Sequence, residues 1–138
     1  MRDRRRNHGF TLIELMVVIA IIGLLALMVV PRLTGAMDRA KRTKAMADIH
    51  EIQTALDRYY LDNGYYPTTD QGLQALVAAP ASGRIPNNYE EGGYIQRVPP
   101  DPWGNAYFYS SDGNTYTLKS YGRSGVEGGQ DTIDGSQS

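Results

Sequence analysis

Gly9-Phe10-Thr11-Leu12-Ile13-Glu14 joins a short basic leader to a long apolar run. From Phe10 to Val30 the chain offers 21 residues whose only ionisable side chain is Glu14. As a helix rising about 1.5 Å per residue, that run spans roughly 30 Å, enough to cross the hydrocarbon core of a bilayer. Before it stand Arg2, Arg4, Arg5 and Arg6 against one acid, Asp3. Such an asymmetry holds a short N-terminal flank in the cytoplasm and sends the C-terminal body outward.

A secretory signal shares the basic start and the apolar core, but it is cut after small residues that follow the core. Here Gly9 precedes the core, so a cut after it removes the arginines and leaves the apolar segment on the mature chain. The plainer alternative is an uncut signal anchor in which Glu14 is tolerated near the interface. A carboxylate costs on the order of 3 kcal/mol at mid-bilayer and is usually kept there for a partner, although Glu14 is shallower than that. Cutting before Phe10 creates an α-amino group with a reference pKa of about 7.7 to 8.0, separated from Glu14 by about 6 Å of helix rise within one chain. A neighbouring chain shifted along the axis can bring its own amine directly against Glu14 in a dry bundle. Glu14 therefore reads as an assembly residue that sets register.

This junction, followed by a long apolar helix, resembles the class III leader and N-terminal helix of type IV pilins and pseudopilins. The resemblance implies a prepilin peptidase that cuts after Gly9 and methylates the new Phe10 amine, with Glu14 guiding filament assembly. Pro31 falls where that family has a helix-bending proline.

Of 138 residues, the first 30 belong to leader and apolar run, which leaves 108, enough for one small domain and too few for two. Net charge is formally -1, but loss of residues 1–9 removes four basic groups and one acid, leaving 10 positive against 14 negative, or -4. No basic stripe with interleaved aromatics remains, so no nucleic-acid partner is expected. The chain has no cysteine, so in an oxidising compartment its head is held by its core or by a metal.

After Pro31 the pattern becomes amphipathic. Ala45, Ile49, Ile52, Leu56 and Tyr59 recur at steps of three and four residues, with Lys44, Asp48, Glu51 and Asp57 between them. The apolar run and this stripe form one long helix, ended near residue 62 by Asp62-Asn63-Gly64. His50 stands alone on it as a surface histidine. Thr68 and Gln71 have capping-box spacing ahead of a short second helix expected at about 70–78. From about 94 to 120 the chain reads as a small antiparallel sheet. Its strands are expected at Tyr94–Val98, Ala106–Tyr109 and Thr115–Leu118, with Asp112-Gly113 as the hairpin signal. The expected class is α+β, a long helix carrying a small sheet, with the ten tyrosines as packing residues.

Tyr59 to Leu73 and Pro100-Asp101-Pro102-Trp103-Gly104-Asn105 sharpen the resemblance to the major pseudopilin family of type II secretion systems. By composition alone the glycine-rich tail from Ser120 to Asp134 reads as flexible, with two aspartates and a serine as a thin cage and no EF-hand spacing. The resemblance implies instead one structural calcium in the loop at about 121–134. Tyr121 and Val126 would give carbonyls, Ser124 falls where many members have aspartate, Asp131 is the side-chain match, and Asp134 is a further candidate. It also implies a homopolymeric filament that helps export folded proteins through the outer membrane. The implied partners are minor pseudopilins, the peptidase, an ATPase and an inner-membrane platform. The subunit would be a single-pass inner-membrane protein with its head, residues 31–138, in the periplasm. Two rivals stand beside this reading. A type IV pilin of a surface fibre often closes a C-terminal loop with a disulfide, which this chain cannot form. A membrane-anchored enzyme would need parts that the mature chain, with no Cys and only His50, lacks.

Overall fold

The computed structural model describes residues 9–137, with the side chains of 29–34 outside that description. Leader positions 1–8 lie outside the described residues. The chain divides between Asp38 and Arg39 into two units, and the helix α1 (Leu12–Asn63, 52 residues) contributes to both.

In the first unit, the Thr11 hydroxyl accepts the Glu14 amide at 3.3 Å, and the Thr11 carbonyl accepts the Leu15 amide at 3.2 Å. Thr11 is thus the helix cap, and Glu14 lies in the first turn, where the helix dipole favours a carboxylate. Every side chain from Phe10 to Met28 is exposed, Leu12 by 78% and Leu27 by 76%. A helix apolar on all sides needs an apolar surround, and among the described residues of this unit nothing supplies one. Among the described residues no helix is long and apolar enough to cross a membrane. The described side chains of the apolar run stop at Met28, and the bend expected at Pro31 falls among the side chains outside the description.

The second unit has its own core. The predicted stripe is its spine: Ala45, Ile52, Leu56 and Tyr59 have no exposed surface, and Ile49 and Ala55 are buried beside them. Leu73, Leu76, Tyr94, Ile95, Tyr107, Tyr116, Leu118 and Ile133 close over that face. Each large side chain so buried contributes about 1.5 to 3 kcal/mol against an exposed one, which is why three-to-four spacing fixes this helix. α1 ends where expected. Gly64 adopts φ 77 and donates its amide to the Tyr60 carbonyl at 2.7 Å, while Asn63 Nδ2 caps the Tyr59 carbonyl.

Two expected elements differ. The helix expected at 70–78 is only a 3₁₀ turn, Leu73–Leu76. Half of the capping box forms, since Gln71 Oε1 accepts the Thr68 amide at 3.1 Å, but Gly72 at φ 60 breaks the helical path. The strand expected at Tyr94–Val98 is absent. The amides of Tyr94 and Ile95 both donate to the Leu76 carbonyl, at 2.8 and 3.2 Å, so this backbone fastens to the 3₁₀ turn and not to a sheet.

The sheet has three antiparallel strands in the order β1 (Phe108–Ser111), β2 (Tyr116–Ser120) and β3 (Ile133–Asp134). The Asp112-Gly113 turn is as predicted: Asp112 Oδ1 accepts the amides of Asn114 and Thr115, each at 2.9 Å, and Gly113 takes φ 95. Along β2, Tyr116, Leu118 and Ser120 face the core in strict alternation. β3 was not expected and lies inside the tail. Beyond it, the Gly135 amide donates to the Leu118 carbonyl at 2.8 Å, and Gln53 Nε2 on α1 donates to the Gly135 carbonyl at 3.0 Å. The glycine is required for space. A Cβ at Gly135 would lie 2.3 Å from Ile49 Cγ2.

Candidate functional site

Two places carry the chemistry singled out above, one in each unit. At the start of α1, Gly9 has open space around it, with nothing within 4 Å of where a Cβ would stand, and Phe10 is 83% exposed. The bond between them is accessible. Glu14, one helical turn inside the cap, is exposed among apolar neighbours, a carboxylate placed where a partner can reach it.

In the second unit, the loop between β2 and β3 springs from a buried polar hub. Asp101 Oδ1 accepts the amides of Trp103 and Asn105 at 3.1 and 2.8 Å, and Oδ2 accepts the Ser120 hydroxyl at 2.7 Å. Ser120 Oγ in turn accepts the Gly122 amide at 3.1 Å. Asp101-Pro102-Trp103-Gly104-Asn105 is legible in the sequence as a turn, but its carboxylate's grip on the root of the loop is a tertiary contact that sequence reading missed.

From this root the chain makes a 3₁₀ turn, Gly122–Ser124, and Gly125 reverses it at φ 65. Gly122, at φ 63, lies so near Asp131 that a Cβ there would meet the Asp131 carbonyl at 2.3 Å and Asp131 Cβ at 2.8 Å. Ser124 Oγ donates to the Tyr121 carbonyl at 3.0 Å. A Cβ at Gly129 would stand 2.2 Å from Ser124 Oγ and 3.4 Å from the Val126 carbonyl oxygen. Of the five expected ligands, Ser124 and Val126 thus meet at Gly129, Tyr121 is joined to Ser124 by that hydrogen bond, and Asp131 packs against Gly122. Asp134 stands on β3, paired with Lys119 Nζ at 3.4 Å, and its Oδ1 accepts the Ser136 amide at 2.8 Å. These Ser136 hydrogen bonds, with Lys119 beside them, hold the Asp134 carboxyl below its ordinary range. Asp134 thus lies at the sheet edge, outside these glycine contacts.

Among the described residues no group of three or more His, Cys, Asp or Glu side chains could hold a metal ion. The gathered donors are two carbonyls, a hydroxyl and the residue Asp131. Oxygen donors with little negative charge fit a hard cation such as calcium and do not fit a transition metal.

A long helix that begins at a leader junction and carries a small antiparallel sheet on its second half defines a pilin-like subunit. The family described as type II secretion system protein G matches residues 32–135, and the prokaryotic N-terminal methylation motif matches residues 4–30. The type II secretion system core protein G of Vibrio cholerae serotype O1 is 52% identical over 134 residues, covering 96% of this chain and 91% of the relative. That of Escherichia coli is 49% identical over 135 residues, covering 96% and 93%. A crystal structure of the major pseudopilin from the type 2 secretion system of enterohaemorrhagic Escherichia coli superposes with a TM-score of 0.68 at 43% identity, over 75% of this chain and 88% of that one. The chain belongs to the type II secretion system protein G family.

Proposed function

We propose that this chain is the major structural subunit of a type II secretion pseudopilus, which polymerises after cleavage between Gly9 and Phe10 and methylation of the Phe10 amine. The observation that carries the proposal is the first unit: an apolar helix exposed on every side from Phe10 to Met28, interrupted only by Glu14. Such a helix is stable in two surroundings, lipid and a bundle of like helices. Before assembly the run Phe10–Val30 would hold the precursor in the inner membrane as a single pass with the head in the periplasm. After assembly the same surface would be buried against other copies. Glu14 would then meet the Phe10 amine of a neighbour, an attraction strengthened by the dry surroundings and available in one register only.

The head supports the same role. Its interior is packed with tyrosines and aliphatic side chains. Membership of a family whose solved member is a major pseudopilin supports a structural role over an enzymatic one. The growing fibre would work with minor pseudopilins, the prepilin peptidase and an inner-membrane platform to move folded proteins through the outer membrane. Tyr121 and Val126 would hold a calcium ion through their carbonyls, Ser124 through its hydroxyl and Asp131 through its carboxylate. When bound, the ion would cross-link the two ends of the loop.

An intact mass of protein extracted from membranes that contain the peptidase tests the proposal. The expected mass lacks residues 1–9 and carries one added methyl group. A chain that retains residues 1–9 would overturn it. Calcium is tested separately by thermal unfolding with calcium, magnesium or chelator, since a ligand bound only by the folded state raises the midpoint. A rise with calcium alone is expected, and no rise removes the metal from the account.

A further inference from the structure

The geometry points to Ser124 as a metal-free latch: its hydroxyl closes the loop onto the Tyr121 carbonyl, so the loop keeps its shape without calcium and binds the ion weakly. The inference rests on the calcium reading above for its second half only.

Three observations carry it. The 3.0 Å hydrogen bond from Ser124 Oγ to the Tyr121 carbonyl joins two of the oxygens that a cation would need to gather. The hydroxyl is also held from the other side. Gly129 lies against it closely enough that any Cβ would strike it at 2.2 Å, and Gly129 is itself pinned, its amide donating to the Val126 carbonyl and its carbonyl accepting both the Thr132 amide at 3.2 Å and Thr132 Oγ1 at 2.9 Å. Finally, the loop ends are fastened independently of any ion. Gly122 is tied to Ser120 and hence to the buried Asp101, and β3 is paired to β2.

A carboxylate at position 124 would behave in the opposite way. It could not donate to a carbonyl, and it would face the Tyr121 and Val126 oxygens with like charge until a cation arrived. Calcium sites gain affinity as carboxylates are added, and weakly charged sites work in the range of about 0.1 to 1 mM. With Ser124 in place the loop exchanges that affinity for closure at all calcium levels.

The test uses the full chain in detergent, with hydrogen exchange of the loop amides and calcium titration by calorimetry on the natural chain, Ser124→Ala and Ser124→Asp. Amides of the core strand β2 serve as the internal standard for an intact fold. In chelator the loop amides Gly125, Gly129 and Thr132 stay protected in the natural chain and exchange about 5-fold faster in Ser124→Ala, the consequence of one net hydrogen bond lost. Ser124→Asp binds calcium at least ~10-fold more tightly than the natural chain. If the natural loop in chelator exchanges as fast as the alanine variant, the latch is overturned. If the natural chain binds calcium as tightly as Ser124→Asp, the link between latch and affinity is overturned. Protection in chelator with no calcium bound by either chain upholds the latch and sinks the calcium reading instead.

Discussion

Ser120 Oγ and Asp101 Oδ2 meet at 2.7 Å in the interior of the head, where Ser120 is fully buried and Asp101 is 3% exposed. This one bond joins the turn at 101–105 to the end of β2 and, through the Gly122 amide, to the first residue of the glycine-rich loop. Replacing Asp101 with alanine strands the buried Ser120 hydroxyl and the half-buried Trp103 amide, and frees the amide of exposed Asn105. Each such orphan costs about 1 to 3 kcal/mol when water cannot reach it, so Asp101→Ala should lose about 3 kcal/mol or more in urea unfolding. A loss below about 1 kcal/mol would show that the hub does not anchor the loop.

The approach of β3 to α1 gives a second expectation. A methyl group at Gly135 would lie 2.3 Å from Ile49 Cγ2, so Gly135→Ala must displace either the helix or the C-terminal segment. Overpacking of this kind costs about 1 to 3 kcal/mol. Shortening Ile49 to alanine in the same chain removes the clash, so the double variant should be more stable than the sum of the single losses predicts. Simple additivity in denaturant unfolding would contradict the contact.

The tyrosines set the alkaline limit of the head. Burial pushes the phenols of Tyr107, Tyr109 and Tyr116 above their ordinary value, Tyr116 up to about 12, and the nearby Asp48 carboxylate adds to the effect at Tyr107. The folded state therefore holds these protons more tightly than the unfolded chain does. Their contribution to stability is complete below about pH 10, where the unfolded phenols are also neutral, and is lost as pH rises through the folded values. Urea midpoints should be flat from pH 8 to about pH 10 and fall steeply towards pH 12, together with phenolate absorbance. Phenolate absorbance that appears near pH 10 with no change of midpoint would show that the tyrosines are not protected by burial.

At the other end of the molecule, Glu14→Ala should leave cleavage intact and stop polymerisation. The Thr11 cap and the rest of the helix are unchanged, so the variant is expected to accumulate as processed monomer in the membrane. Sheared fibres counted by electron microscopy should drop at least ~10-fold, consistent with loss of an ion pair worth several kcal/mol in a dry bundle. Normal fibre yield would return Glu14 to the role of a tolerated interfacial acid.

Legibility followed the range of the forces involved. Ala45, Ile49, Ile52, Leu56 and Tyr59 declared themselves because one helix face repeats its pattern over many residues, and Asp112-Gly113 because its turn is set by local backbone preference. Tyr94–Val98 has a strand's composition, yet two of its amides go to the single carbonyl of Leu76, a partner no local pattern specifies. β3 is two residues long and hidden in a glycine-rich stretch, so it is visible only through its pairing with Lys119 and Ser120. The same pairing places Asp134 on the edge of the sheet. At the N-terminus, the cut after Gly9 and the assembly role of Glu14 were argued from charge and apolar pattern, whereas methylation of Phe10 came from resemblance. The loop residues Tyr121, Ser124, Val126, Asp131 and Asp134 came from resemblance, and the close approaches of Gly122 to Asp131 and of Gly129 to Ser124 are tertiary packing that no local pattern specifies. The cap formed by Thr11 could have been found, since Thr11 and Glu14 have the spacing of a capping box.

Export itself reports on whether the chain works as a pseudopilus subunit. In cells with a type II secretion machine from which the native core protein G has been deleted, this chain is supplied and the secreted proteins in the medium are measured. The natural chain should restore export and the Glu14→Ala chain should not. Processed chain that assembles into fibres yet exports nothing would contradict this role and favour a surface fibre with another task.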